Sequence, residues 1–353
     1  MDILTLVEGI GESPTAAIFG LLTGLIFGIS AQRSQFCLRA ATVEFARGRL
    51  GPKVAVWFLT LSTAIVWVQG AQLLGLFREA DARVMAVPGS WSGAIIGGLM
   101  FGAGMVMSRG CSGRLLVLAS TGNLRSVVSG LIFAVTAQMS LHGILSPYRD
   151  RLASLSITGS ENINLLNALH LPNGTGLALG IAFAALALFL AAKNQIGPKI
   201  WIFASGVGFA VAIGWYLTWQ LAQVAFDPVP VSSVTFSGPS ANTLMFFLDR
   251  NAVLEFDVGL VPGVVIGAFL SSLIAGEFRW QSFDSVPVMR RSMIGAALMG
   301  FGAMLAGGCA IGNGVTNSSV FAATAWLALF CMWVGAIATT LLIDRQADPA
   351  LAC

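Results

Sequence analysis

The chain is short of charge. Only 10% of its residues are Asp, Glu, Lys or Arg, while 56% are hydrophobic. A soluble domain carries about 25% charged residues; with this composition aqueous folding would leave far too much apolar surface, so the chain reads as an all-α integral membrane protein. Histidine is scarce too: His142 and His170 stand alone. Five cysteines are present, Cys37, Cys111, Cys309, Cys331 and Cys353, with no CxxC among them. No histidine lies at ligand spacing from a cysteine, so neither a zinc site nor a disulfide framework is expected. The opening residues MDILTLVEGIGESPT lack a basic stretch and carry Asp2, Glu8 and Glu12, which argues against a cleavable signal peptide. There is no nucleotide-binding loop, so primary pumping by this chain is not expected and no cofactor is implied. The basic residues sit in loops between apolar runs, and no nucleic-acid partner is expected from them.

What the chain has in quantity is apolar sequence. A spanning helix needs about 20 mostly apolar residues. Nine segments qualify, near 15–31, 54–77, 91–108, 124–145, 174–192, 199–222, 258–275, 292–306 and 321–343, the eighth being short for a full crossing. Cytoplasmic loops are enriched in Lys and Arg. With nine crossings and the N-terminus outside, the inside set is Arg33, Arg39, Arg47, Arg49, Lys53, Arg109, Arg114, Arg125, Lys193, Lys199, Arg279, Arg290, Arg291 and Arg345. The outside set is Arg78, Arg83, Arg149, Arg151 and Arg250. That asymmetry predicts N-terminus out and C-terminus in, and leaves 223–257 outside.

Two cysteines sit where regular helix should fail. GAGMVMSRGCSG, residues 102–113, leads to Cys111, and GFGAMLAGGCAIGNG, residues 300–314, to Cys309. Aligning the two cysteines places Gly97, Gly102, Gly104 and Gly110 on Gly295, Gly300, Gly302 and Gly308. At a different offset, Gly20, Gly24 and Gly28 fall on Gly259, Gly263 and Gly267, and Cys37 falls on Gly276. The span at 54–77 finds no counterpart in this alignment. The two cysteine elements run in opposite directions in the nine-span count, and inverted repeats of this kind build transporters with a site near the midplane. The chain therefore divides into a first half, about 12–145, a linking span, about 174–192, and a second half, about 199–343. Gly307–Gly308 and Gly312–Asn313–Gly314 are poor helix interior and permit tight turns. If both elements are broken or re-entrant, the two thiols meet in the interior. The evenly spaced glycines of the other match are read instead as close helix packing.

At these residues the chain resembles the YeeE/YedE family over nearly its whole length. AGGCAIGNG, residues 306–314, is the most specific piece; QRSQFC, residues 32–37, and GAGMVMSRGC, residues 102–111, resemble the family's other cysteine motifs. Characterised members take up thiosulfate and related sulfur compounds. The resemblance implies an hourglass of two pseudo-symmetric inverted halves, with re-entrant helices whose cysteines line a constriction. It carries Cys37, Cys111 and Cys309 over as thiols of the substrate path, the latter two at its narrowest point. Members are often paired with a small cytoplasmic sulfur-carrier protein of the TusA type. The chain departs from the family at Arg109, where the middle motif usually has glycine.

These groups suit an anion. Burying an isolated ion costs tens of kcal/mol, and half-helix N-termini with exposed N–H groups offset that without net charge. The segments after Gly110 and Gly308 are placed to supply them. Thiols are weak donors, and weak holding lets an ion leave. Arg109 and Arg114 beside the path would deepen an anion well or change the ion preferred; Gln32 and Arg33, which precede Cys37, either steer anions or, for Arg33 equally well, belong to a basic cytoplasmic loop; Asn313 either lines the path or satisfies a turn. Cys331 reads as a small buried hydrophobe, Cys353 as a tail thiol, and Gln69, Gln138 and His142 as interhelical hydrogen-bonders. The expectation is an inner-membrane permease for a sulfur anion, thiosulfate first. The alternatives are another sulfur or selenium species, or a membrane thiol oxidoreductase or sulfurtransferase.

Overall fold

The computed structural model describes residues 3–172, 174–282 and 285–343. Arg345 and Cys353 lie outside the described residues. The helices that carry the architecture are α1 (Glu12–Ser34), α2 (Leu38–Ala46), α3 (Pro52–Leu73), α4 (Trp91–Met107), α5 (Ser112–Ser120), α6 (Leu124–Leu141), α7 (Thr175–Lys193), α8 (Pro198–Val224), α9 (Gly238–Leu248), α10 (Phe256–Ile274), α11 (Val286–Leu305) and α12 (Ala323–Ile343). Their starts follow local chemistry. Proline stands in the first turn of α3, α8, α9 and α11, where its missing N–H costs nothing. Ser90 and Asn123 cap α4 and α6, accepting from Gly93 and Ser126.

Among the described residues, eight stretches are long and apolar enough to cross a bilayer. Two of them, Glu12–Ala46 and Trp91–Ser120, each join a long helix to a short one across a break. The ninth expected segment, 292–306, is not among the eight. It is not short, since it lies in the 20-residue α11; Arg290 and Arg291 in its early turns dilute its apolar character.

Small residues set the packing. A Cβ on Gly20, Gly24 or Gly28 would run into backbone of Phe256, Leu260 and Val264, and one on Gly259, Gly263 or Gly267 into Ala17, Leu21 and Leu25. The glycine ladders of α1 and α10 thus interlock backbone to backbone, as close packing requires. The partners rise together, so α1 and α10 run parallel. On α4 and α11 the order is reversed: Gly97 meets Gly302 and Gly104 meets Gly295, an antiparallel crossing. Ser30 faces Gly206 while Glu12 accepts from Phe226, which makes α8 antiparallel to α1. Thr60 with Ala204, and Ala64 with Gly208, make α3 parallel to α8. Gly98 against Ala328 and Gly102 against Met332 make α12 parallel to α4; Ser129 with Ser292 and Phe133 with Gly300 make α6 parallel to α11.

These directions correct one part of the repeat alignment. A mate of α1 under inversion must run against it. The glycine match with α10 therefore reflects mutual packing and not inverted symmetry. From Glu12 to Leu141 the order is long, short, long, long, short, long. From Pro198 it repeats, with a π-helical turn at Gly312–Asn317 as the second short element. In this order α3, the span that lacked a counterpart, stands opposite α10. Cys37, which opens α2, stands opposite the residues that open α9, near Phe236, instead of Gly276.

Candidate functional site

Three breaks build the site, and each has the same local form. Gln35, Arg109 and Gly307 adopt left-handed backbone, with φ of 52°, 58° and 73°, and each lies two residues before a cysteine. An L-residue there costs roughly 1–2 kcal/mol where glycine pays none, so Gln35 and Arg109 are held in place by their surroundings. The α4 and α11 ends close alike. Gly110 N–H donates to Met105 O at 3.1 Å, and Gly308 N–H to Ala303 O at 2.9 Å. These are the six-residue closures that stop a helix. Each cysteine then begins the element that turns back into the protein.

The returning elements meet. Beside Gly113, two residues past Cys111, stand the Ile311 side chain and the Phe236 ring; Ile311 lies two residues past Cys309. Cys111 and Cys309 are both 0% exposed, and Cys309 is within electrostatic reach of Cys111. The Cys37 and Cys111 thiols are side-chain neighbours of each other. All three expected thiols are thus brought into one cluster.

Backbone N–H groups converge on the sulfurs. Cys309 Sγ accepts from Phe236 N–H at 3.3 Å and Gly312 N–H at 3.4 Å, with Thr235 Oγ1 at 3.8 Å. The N–H groups of Ala40 and Arg114, each three residues on from a cysteine, face the Cys37 and Cys111 sulfurs without closing regular capping bonds. Helix N-termini therefore point at the cluster from several sides and make it electropositive without added charge.

Of the expected polar residues, Arg114 lies closest to this chemistry. Its guanidinium acts electrostatically on Cys37, and its buried Nη1 has no hydrogen-bond partner among the described residues. Arg109 occupies the strained position of its break and is half-buried. Gly308 is the bed on which Asn313 lies: a Cβ there would be 2.7 Å from Asn313 Oδ1. Asn313 Nδ2 donates to Ala306 O at 2.8 Å and Gly308 O at 3.2 Å, so it satisfies the turn while also facing a cavity. Gln32 and Arg33 are not brought to the thiols. Gln32 Nε2 donates to Glu277 at 3.0 Å, and Arg33 lies over the Phe203 ring. At the end of α1 their side chains find neighbours on other helices first. Gln69 makes the expected interhelical bond, to Ser319 O at 2.8 Å.

The segment 223–257, expected wholly outside, in part runs inward. Val234 and Phe236 are fully buried. Thr316 donates to Val234 O, Ser233 to Val211 O and Thr218 to Ser232 O. Such bonds let irregular backbone exist inside a membrane protein. This segment also walls a cavity of about 400 Å³, lined by Arg83, Asn162, Asn242, Asp257, Thr235, Gly307 and Asn313 among others. Thr235, one of its lining residues, lies beside Cys309. Phe236, Thr235, Arg83 and Asp257 escaped the sequence reading; the one hint was the polar run VSSVTFSGPS between two apolar spans.

A family model described as "Sulphur transport" matches residues 33–338. The chain is 26% identical over 340 residues to "Thiosulfate transporter TsuA" of Escherichia coli (strain K12), covering 90% of this chain and 91% of that protein. It is 26% identical over 334 residues to the protein of the same name from Spirochaeta thermophila, covering 88% and 93%. A third similarity, 28% over 173 residues, is to "Probable transporter YedE" of Salmonella typhimurium, covering 48% of this chain and 39% of that one.

Proposed function

The chain belongs to the sulphur-transport (YeeE/YedE) family of membrane transporters, and on that premise we propose that it imports thiosulfate across a bacterial inner membrane, past Cys309, Cys111 and Cys37 in turn. The observation that carries this reading is the meeting of the two broken elements at Gly113 and Ile311, with the cysteine two residues before each fully buried. Two relatives that span most of the chain are named thiosulfate transporters, and the thiol cluster has the chemistry such an ion needs.

Thiosulfate is a dianion with a hard sulfonate end and a soft terminal sulfur. Desolvation costs tens of kcal/mol for an isolated ion in an apolar medium. The cost is offset by the N–H groups at the openings of α2, α5 and the 312–317 turn, and by Arg114. Because Cys309 Sγ already accepts two N–H bonds, its S–H is left to donate toward the ion. A thiol donor is weak, so the ion is held loosely and passes on to Cys111. Neutral thiols are required, since thiolates would repel the ion. With the N-terminus outside, as the loop charges favour, the cavity at Asp257 opens on the outer face, and Arg39 and Arg114 stand near Cys37. A small cytoplasmic sulfur-carrier protein of the TusA type is the partner proposed on the cytoplasmic side.

A bacterium lacking sulfate uptake, grown on thiosulfate as sole sulfur source, tests this. The wild-type chain should restore growth and Cys309→Ala should not. Equal restoration by both would remove the thiol from the mechanism. Mass spectrometry of the working protein should find no persulfide on Cys111.

A further inference from the structure

An acidic side chain stands in the wall of the cavity whose lining residue Thr235 neighbours Cys309. Asp257 lies in the first turn of α10, half-buried, and lines the cavity together with Arg83, Asn242 and Thr235. Asn242 Nδ2 donates to its Oδ2 at 2.9 Å. In a route for anions this placement is costly, because like charges repel strongly where the dielectric is low. An ionisable residue in the first turn of a membrane-spanning helix, facing a cavity, calls for a role. A carboxylate that served only to hold Asn242 would be replaceable by a neutral acceptor with no penalty to an anion.

The charged groups around it are few. On its own element Glu255 acts on it with the same sign, and from the short Arg83–Ala86 helix Arg83 acts with the opposite sign. From α9 comes the neutral Asn242. α1 offers Glu12, whose carboxylate is occupied by the N–H groups of Phe226 and Asp227. Across the cavity Arg149 is tied to Asp150 at 2.6 Å. Among the described residues the cation that acts on Asp257 is Arg83, and it also lines the cavity.

We propose that this cavity is a proton-linked anion site: Asp257 takes up a proton when a small oxyanion binds beside Arg83. Empty, the ionised Asp257 is the counter-charge of Arg83. Occupied, the anion takes over that part and the carboxylate becomes neutral, keeping its bond from Asn242. Anion and proton then favour each other, and by linkage each strengthens the other equally. The inference rests on the permease reading above but concerns a different group from the thiols.

The test uses the full chain in lipid nanodiscs, titrated calorimetrically with sodium thiosulfate and, in parallel, sodium sulfate. Two buffers of different ionisation enthalpy report proton uptake. For wild type, proton uptake should accompany binding, and affinity should rise as pH falls, approaching about tenfold per pH unit, the limit for one linked proton. Asp257→Asn keeps the hydrogen-bond acceptor and removes the charge. It should bind more tightly than wild type at pH 7.5, with no proton uptake and a flat pH profile. Arg83→Gln should bind more weakly at every pH. Weaker binding by Asp257→Asn, proton uptake that persists in it, or anion binding by wild type without proton uptake would each overturn the proposal. Linked binding of sulfate with none of thiosulfate would leave the proton link standing and defeat the thiosulfate reading. Linked binding is expected in Cys309→Ala, the variant that should not restore growth, because Cys309 is not among the residues lining this cavity.

Discussion

Cys309 separates two kinds of contribution that a single substitution usually confounds. Its sulfur accepts two buried N–H groups, from Phe236 and Gly312, and its thiol is the group held to touch the substrate. Cys309→Ala leaves both donors unsatisfied. A buried orphan donor costs about 1–3 kcal/mol. Sulfur is a weak acceptor, so we take the lower end for each and expect a loss of roughly 2 kcal/mol. Cys309→Ser restores an acceptor at the same place; with N···S separations of 3.3 and 3.4 Å, a shorter C–O bond is accommodated by a small shift. Serine should therefore recover most of the lost stability. It should not recover transport, because the soft contact to the terminal sulfur is gone. The expected order in thermal unfolding is wild type close to Ser and above Ala. The expected order in thiosulfate uptake by proteoliposomes is wild type far above Ser, with Ser and Ala alike at one-tenth or less. If uptake instead follows stability, and serine transports like wild type, the N–H arrangement alone suffices and the thiol argument fails.

Three further outcomes follow from particular contacts. Gly24→Ala or Gly263→Ala would force backbone of α1 and α10 apart and should abolish folded yield by size-exclusion, whereas Gly130→Ala, with open space around it in α6, should be neutral or stabilising by up to about 1 kcal/mol. Arg114→Gln should raise the KM for thiosulfate roughly tenfold, since Arg114 has a buried Nη1 with no hydrogen-bond partner among the described residues and acts on Cys37; an unchanged KM would remove it from the path. Glu79 lies between spans, and burial raises its carboxyl above the ordinary range despite hydrogen bonds involving Gln72, Asn164 and Asn167. A raised carboxyl pKa means the folded state holds its proton more tightly, so stability falls as pH rises from the ordinary carboxylate pKa through the folded one. Glu79→Gln should therefore raise the unfolding temperature at pH 8 and do much less at pH 4.5; an equal rise at both would point to packing instead.

Much of the fold was legible because bilayer physics writes itself into composition. Eight of nine expected spans coincide with helices that are long and apolar enough to cross, and the ninth with a helix whose two arginines dilute it. The breaks at Gly110 and Gly308 were legible because glycine just before each cysteine weakens the helix locally, before any neighbour is consulted; that Arg109 takes the left-handed position held by Gly307 in the other break was not. The α1–α10 ladder was legible as packing, yet its direction was not: evenly spaced glycines look the same in parallel and antiparallel contacts. That ambiguity produced the wrong mate for Cys37 and hid the counterpart of α3. That Gln32 reaches Glu277 and Arg33 the Phe203 ring was not legible either, since adjacency to a cysteine in sequence does not say which way a side chain leaves the end of a helix.

By itself, then, the sequence determined a membrane-embedded helical chain with backbone that must break before Cys111 and Cys309, because apolar length and glycine conformation are properties of single segments. Only the tertiary structure decided that Phe236, from a polar stretch some 70 residues earlier, supplies a donor to Cys309, that Cys37 meets Cys111, and that Asp257 faces a cavity with Arg83. Those are approaches between segments whose own chemistry would suit many neighbours, and the choice is made by how α1, α10, α4 and α11 close against one another.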